Sequence, residues 1–195
     1  VEATSQVAHA ISTHEIETEF DYFTALDDLQ NKGNAGAAML GDLEYNSSTL
    51  YRYANVNIRE LIDDLGKEDA IKGAKEFIKS FVKSMPTGKQ NTFANKTVPG
   101  YVMVVLRKDT PVNLVSAFEE PIRSKNGYLK ESIRKLNDEY VNTMRFVEEP
   151  VASLVLSKDA IELKESQIDS KNLGDLLKEV VMLLEEGDKN ESINN

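Results

Sequence analysis

The sequence predicts a mixed α+β fold in which a sheet is packed against helices. Three segments of its 195 residues carry this prediction. Residues 49–57 alternate between apolar and polar side chains, as a half-buried strand does, and residues 101–106 form a continuous β-prone run. Residues 129–147 carry apolar side chains at helical spacing, which is the pattern of a helix with one buried face.

The elements of the N-terminal half follow from the same patterns. Residues 6–14 alternate well enough for a strand, and in the strand at 49–57 Leu50 lies on the aliphatic face. A short helix then ends at Gly66, because glycine suits the position directly after a helix. A second helix carries an apolar stripe over residues 70–82 and stops before a proline.

The C-terminal half adds two strands and two helices. The run at 101–106 is apolar on both faces, which predicts a central strand covered on both sides. The helix at 129–147 follows Gly127, and a further strand is predicted at 151–156. An amphipathic helix is predicted from residue 173 to at least residue 184.

Length and composition bound the organisation of the chain. With 41% hydrophobic content it can bury one core, so we expect a single domain over residues 1–187 and a disordered tail over residues 188–195. Cysteine is absent, which excludes disulfides and thiol catalysis, and no segment resembles a signal peptide or a membrane span. A reducing, cytoplasmic location is therefore expected.

The net charge of -10 argues at first against nucleic acid, because RNA binding depends on Lys and Arg. The charge is unevenly distributed. Residues 1–65 carry 3 basic and 12 acidic side chains, residues 71–145 carry 14 and 7, and residues 146–195 carry 5 and 12. Only the middle region suits phosphates. Part of its charge follows one helix face, where solvated side chains are the ordinary case. These residues are Lys72, Lys75, Lys79 and Lys83.

The residue types that catalysis needs are poorly represented. His9 and His14 are the only histidines, and their odd separation on an extended strand places them on opposite faces, so they form no simple metal pair. Adjacent acids such as Asp27 and Asp28 diverge in a helix and make no acid/base dyad. We therefore expect no enzymatic activity, no metal and no cofactor.

Residues 15–48, which we call the arm, differ from the rest of the chain. They join two strand-like runs, are rich in Gly and Asn, and carry Tyr22 and Phe23 between acidic residues. Too few apolar side chains are present for the arm to bury itself, which predicts a projecting element that needs a partner surface. Periodicity alone favours the alternative that Phe23 and Leu26 pack on the core as a helical turn.

Six short segments stand out in chain order: Ala8–His14 (AHAISTH), Phe23–Gln30 (FTALDDLQ), Tyr51–Asn55 (YRYAN), Gly88–Thr92 (GKQNT), Ala117–Glu119 (AFE) and Asn126–Leu129 (NGYL). Together they resemble CasC, the backbone subunit that coats the guide RNA in the type I-E CRISPR surveillance complex Cascade. The resemblance begins partway along the sequence of the family's subunit and fades after about Glu148 of this chain. We therefore expect the C-terminal portion of a longer subunit, without the strongly basic segment that precedes this region in the family.

The resemblance implies part of an RNA-recognition, ferredoxin-like palm, which is an antiparallel sheet with packed helices. The arm would correspond to the family's thumb, which reaches along the RNA to the next subunit and pushes a base out of the stack. Unstacked bases pack on aromatic and apolar side chains at about 1–3 kcal/mol each. The implied RNA-contacting residues of the arm are Tyr22, Phe23, Thr24 and Leu26.

The resemblance also implies the partners. These are the guide RNA, target DNA through its pairing with the guide, neighbouring copies of the chain and other Cascade subunits, with no membrane. The family coats and orders the guide for antiviral surveillance, and a separate helicase-nuclease cuts the target. An oligomerising, non-catalytic subunit is therefore expected.

The loop Pro86–Thr92 combines flexibility, one cation and several hydrogen-bonding side chains, but lacks the spacing of a nucleotide-binding P-loop. Its candidates for RNA or subunit contacts are Lys89, Gln90 and Thr92. Tyr51 and Tyr53 lie two apart on a strand, as stacking platforms do, but tyrosine is also an ordinary strand former. Structural packing is the favoured interpretation for both tyrosines.

Two other classes stay open. An acidic interaction module would dock the arm in a protein groove, and its binding would be insensitive to guide RNA. A metal-dependent nuclease would use Asp27 and Asp28 to cleave RNA with magnesium or manganese.

Overall fold

A computed structural model describes residues 3–25, 39–164 and 166–191. It shows the mixed α+β fold that the sequence predicts. The elements in chain order are β1 Ser5–Val7, β2 Ile11–Ser12, β3 Glu19–Ala25, β4 Met39–Tyr45, β5 Leu50–Tyr51, β6 Ala54–Val56, α1 Ile58–Leu65, α2 Lys67–Lys83, α3 Gln90–Phe93, β7 Tyr101–Leu106, the 3-10 helix Val115–Phe118, α4 Leu129–Thr143, β8 Ala152–Ser157, β9 Gln167–Asp169 and α5 Leu173–Glu191.

The main sheet has the strand order β7-β8-β9, with β7 antiparallel and β9 parallel to β8. One face is covered by α5 and α2 around Leu154, Leu176 and Val180, which are almost completely buried. The other face is covered by α4. There the hydroxyl of Tyr140 lies 2.6 Å from that of Ser153, which fixes the helix against β8.

The central position predicted for β7 is wrong within the described chain, where β7 pairs with β8 alone and β8 lies in the middle. The expected cover on both faces is correct, because α5 lies on one side and the Tyr101 hydroxyl donates to Asn137 of α4 on the other. Apolar side chains on both faces report this cover, whereas a position at the edge depends on backbone pairing. Periodicity does not distinguish the two.

The strands predicted at 6–14 and 49–57 pair with each other, but each is divided in two. β1 pairs with β6, and β2 pairs with β5, both antiparallel. Leu50 is 52% exposed, so its expected position on a buried face is wrong. The buried contact at this end comes instead from Ile11 and Tyr51, which pack against the cluster of Ala117, Phe118 and Ile122.

Local signals fix both ends of α1, whereas α4 ends at Thr143, four residues before the end of the helix predicted over residues 129–147. Asn57 caps the start of α1 and Gly66, with φ of 78°, ends it, as predicted. The last helix extends to Glu191 and thus overlaps the predicted tail over residues 188–191, while residues 192–195 lie outside the described chain. Among the described residues, no helix combines the length and apolarity needed to cross a bilayer.

Candidate nucleic-acid interface

The described part of the arm is a two-stranded antiparallel ribbon. β3 and β4 pair over seven positions, from Glu19 opposite Tyr45 to Ala25 opposite Met39. Phe23 therefore lies in a strand, and the alternative of a helical turn packed on the core is wrong for it. The side chain of Tyr22 is 73% exposed and that of Phe23 is 49% exposed, so both rings are available to a partner.

The ribbon geometry assigns the two rings to different sides. Residues directly opposite each other in an antiparallel pair share a face, and neighbours along a strand do not. Tyr22 is opposite Asp42, and Phe23 is opposite Gly41. The rings therefore cannot stack on the same side of one base. Thr24 is paired through its backbone with Leu40, and the predicted contact at Leu26 lies outside the described residues.

The ring of Phe23 lies directly over Gly41. A Cβ atom built on this glycine would stand 2.5 Å from Cζ and 2.8 Å from Cε1 of the ring, well inside contact distance. The bare backbone at Gly41 is therefore what allows the ring to lie across the ribbon. The sequence alone does not predict this pair, because it depends on the register between two strands.

All the charged side chains of the described ribbon are acidic. Over the described arm residues 15–25 and 39–48 the chain carries carboxylates and no basic side chain. Phosphates are repelled by such a surface, so this part of the arm suits the faces of bases, or a basic protein surface. The carboxylates are Glu15, Glu17, Glu19, Asp21, Asp42 and Glu44.

The loop with the second group of candidates lies beside the foot of the arm. Phe93 of α3 contacts Tyr45 of β4, with ring centroids 5.0 Å apart. Lys89 precedes α3 in the left-handed region, with φ of 58°, and its carbonyl accepts the N–H groups of Thr92 and Phe93, each at 3.0 Å. Lys89 and Thr92 are exposed and Gln90 is half-buried.

The structure thus brings the loop and the arm together, but it does not merge them into one cluster. Glu19 is the partner of Tyr45, and Phe23 follows it by four residues. At the rise of a β-strand this corresponds to about 13 Å along the ribbon. A long polymer could therefore touch both, while a small ligand could not.

The family model described as CT1975-like protein, a model of Cas proteins, matches residues 1–182. The chain belongs to the CT1975-like family of Cas proteins. No curated protein matches the chain.

Two solved structures are similar to this CT1975-like chain. One is a chain of a "CRISPR RNA-guided surveillance complex, pre-nicking", with a TM-score of 0.86 and 27% identity over 94% of this chain and 56% of that one. The other is a chain of a "CRISPR RNA-guided surveillance complex", with a TM-score of 0.83 and 28% identity over 92% of this chain and 70% of that one. The CT1975-like chain therefore spans only part of the length of each.

Tyr51 of the CT1975-like chain has a structural role, as the favoured interpretation holds. Its hydroxyl donates to Oδ1 of Asn113 at 2.9 Å and accepts the N–H of Leu114 at 3.1 Å, and its ring packs against Phe118. Burial raises the pKa of Tyr51 to about 12. Tyr53 is half-buried, and its hydroxyl accepts a long hydrogen bond of 3.4 Å from Asn55.

The lysines of α2 do not converge on a site in this CT1975-like chain. Lys79 pairs with Glu76 at 2.8 Å, and this hydrogen bond lowers the pKa of the Glu76 carboxyl. Lys72 and Lys83 are exposed on the same helix. This agrees with a solvated helix face.

The histidines have separate environments. His9 is exposed, whereas His14 is buried beneath the arm. Within the described ranges of the chain, no three His, Cys, Asp or Glu side chains are grouped as metal ligands would be.

Proposed function

We propose that the chain is part of a CasC-type backbone subunit in a type I-E CRISPR surveillance complex. Copies of the subunit line up along the guide RNA and order it for pairing with target DNA. The observation that carries the proposal is the exposed aromatic ribbon. It occurs in a chain that matches chains of CRISPR RNA-guided surveillance complexes.

The chemistry of the ribbon supports bases as its ligands. Tyr22 and Phe23 offer one ring on each face, and stacking an unpaired base on such a ring is worth about 1–3 kcal/mol. The surrounding carboxylates disfavour phosphates, so the arm enters between bases and leaves the backbone of the RNA to other groups. Thr24 and Leu26 complete the proposed wedge.

The loop beside the foot of the arm is proposed to contact the sugar-phosphate backbone. Lys89 is its exposed cation, and Gln90 and Thr92 supply hydrogen-bonding groups on the following turn. Because the loop contacts Tyr45 through Phe93, its position is coupled to that of the ribbon. The RNA would then be held at two points on each copy.

The proposed role is non-catalytic, since each copy positions RNA and breaks no bond. Labelled RNA incubated with the protein and magnesium or manganese should stay intact. Cleavage that disappears in Asp27→Asn would instead support the nuclease alternative.

The test of the proposal uses the assembled complex with its guide. Phe23→Ala combined with Leu26→Ala should weaken the periodic protection of the guide against nucleases, while the fold of the chain is kept. Phe146→Ala is the matched control, because this phenylalanine is 87% exposed but lies outside the arm. A footprint that is the same in all three proteins would reject the wedge.

One observation favours a second candidate, an acidic protein-interaction module. The described part of the arm carries six carboxylates and no basic group, which suits a basic protein surface. Binding to such a partner would weaken with salt and would be unchanged by added guide RNA. The two functions therefore differ in their dependence on RNA.

A further inference from the structure

His14 lies where both ends of the arm join the rest of the chain. Its side chain is buried, and its two ring nitrogens contact the two ends. Nδ1 is 2.7 Å from the carbonyl oxygen of Glu15, the first residue of the arm. Nε2 accepts the backbone N–H of Thr49, the first residue after the arm, at 3.1 Å. A single imidazole thus links two positions that are far apart in sequence.

The two contacts fix the proton on this ring. The N–H of Thr49 can only donate, so Nε2 must be the bare nitrogen. Nδ1 then carries the hydrogen and donates it to the carbonyl of Glu15, which can only accept. The neutral ring with Nδ1 protonated satisfies both ends of the arm, and the other neutral form satisfies neither.

The orientation of the ring is set by the core. His14 stacks on Tyr128, which directly precedes α4, with centroids 3.7 Å apart and planes 11° from parallel. The residue before it, Thr13, is 2% exposed, and its hydroxyl is hydrogen-bonded to the Ser132 hydroxyl of α4 at 2.9 Å. Its carbonyl accepts the N–H of Ile122 at 2.9 Å. The imidazole is therefore held by groups that do not belong to the arm.

We infer that His14 is a positioning residue that sets the direction in which the arm leaves the core. Phe23 lies nine residues further along the chain, at most about 30 Å away if the segment is fully extended. A rotation of the arm by about 10° at His14 would therefore move the ring of Phe23 by up to about 5 Å, more than a stacking contact tolerates. Only one part of this inference rests on the proposed function, namely that the direction of the arm affects the guide RNA.

Three variants separate the contributions of the His14 ring, and a fourth serves as the control. His14→Phe keeps an aromatic ring for Tyr128 and removes both hydrogen bonds. His14→Gln supplies an acceptor for Thr49, and His14→Asn supplies a donor near the position of Nδ1. His9→Phe is the control, because it makes the same substitution at the exposed histidine.

The first measurement concerns the protein without RNA. Imidazole nitrogen spectra should show His14 with Nδ1 protonated and Nε2 bare. Amide hydrogen exchange at Thr49 should become about 5-fold faster in His14→Phe, equivalent to the loss of a hydrogen bond of about 1 kcal/mol. It should return towards the wild-type rate in His14→Gln and stay unchanged in His9→Phe. Unchanged exchange at Thr49 in His14→Phe, or a protonated Nε2, would overturn the inference.

The second measurement is the guide footprint in the assembled complex. His14→Phe should disturb the periodic protection, and His14→Gln should restore part of it. Suppose that Phe23→Ala with Leu26→Ala alters the footprint. If His14→Phe then changes exchange at Thr49 but leaves the footprint unchanged, His14 does not position the arm. If that double variant also leaves the footprint unchanged, the proposed RNA function fails and the effect on Thr49 stands by itself. Should His14→Phe fail to fold, the contrast between His14→Gln and His14→Asn decides the result.

Discussion

Gly41→Ala places a methyl group where the ring of Phe23 lies. The new Cβ would be 2.5 Å from Cζ, and ordinary contact begins at 3.4 Å, so the ring has to move by about 0.9 Å. Phe23 is half-exposed and can move towards solvent, at a cost of about 0.5–1.5 kcal/mol if it leaves its preferred rotamer. Gly41 has no positive φ, so alanine fits the backbone. Alanine also reduces the conformational entropy of the unfolded chain, which stabilises the folded state by about 0.4–1 kcal/mol. The free energy of unfolding should therefore change by less than about 1 kcal/mol.

The effect on RNA should be larger than the effect on stability. Displacing the ring removes up to the whole stacking contribution of about 1–3 kcal/mol for one base, which is about 5- to 150-fold in the population of the stacked state. An adenine analogue whose fluorescence is quenched by stacking, placed at successive guide positions in the assembled complex, measures this directly. Fluorescence should change at the positions contacted by the arm.

Gly73→Ala is the matched control for this experiment. It lies on α2, where the added methyl group meets only Leu61, at 3.8 Å, and should stabilise the helix by up to about 1 kcal/mol. Guide fluorescence should be unchanged in this variant. If Gly41→Ala also gives the wild-type fluorescence while Phe23→Ala changes it, Gly41 does not set the position of the ring.

Three further outcomes are expected. Tyr51→Phe should lower the free energy of unfolding by about 1–3 kcal/mol in urea titrations, because it leaves the N–H of a buried leucine unpaired, whereas Tyr53→Phe should cost less than about 1 kcal/mol. Since the pKa of Asp109 is lowered chiefly by its hydrogen bond with Arg107, Asp109→Asn should destabilise the chain at neutral pH. This difference should vanish in acid titrations as the pH falls through the lowered pKa, and a difference that persists in strong acid would contradict the assignment. Lys89→Ala should reduce the slope of log affinity for guide RNA against log salt by about 0.7, the value for one phosphate on a single strand.

The helices α1, α2 and α5 could be predicted because their signals are local, whereas α3 lies largely in a segment predicted as a loop. Asn57 and Gly66 bracket α1, and the apolar stripe of α2 ends before a proline, so short-range chemistry determines both. The strand β3 was harder to predict from the residues alone, because the 3- and 4-residue spacing of Phe23, Leu26 and Leu29 also fits a helix. Polar and apolar side chains alternate over Glu19–Tyr22 and over Asp42–Tyr45, but these runs are short, and the register that pairs them depends on tertiary structure.

The candidate site divides in the same way. Too few apolar neighbours surround Tyr22 and Phe23 for burial, so their exposure follows from composition. The contacts that fix the position of the arm cannot be predicted from composition. Phe23 meets Gly41 only because of the register of the ribbon, and His14 meets Thr49 across 35 residues. Such contacts depend on tertiary structure, which is why the sequence predicts the exposed rings but not the residues that orient them.

The acidity of the arm explains why orientation is central to its proposed role. A cation attracts phosphate over several ångströms, so a basic arm would tolerate a loose geometry. An acidic arm has only short-range contact with bases, and a gap of 0.5–1 Å already removes about a quarter to a half of a dispersion contact. The described ribbon must therefore be held in place by groups that need not touch RNA. Gly41 positions the ring of Phe23, and His14 holds the arm where it joins the core. Their substitution should weaken the guide contact without changing the charge of the arm.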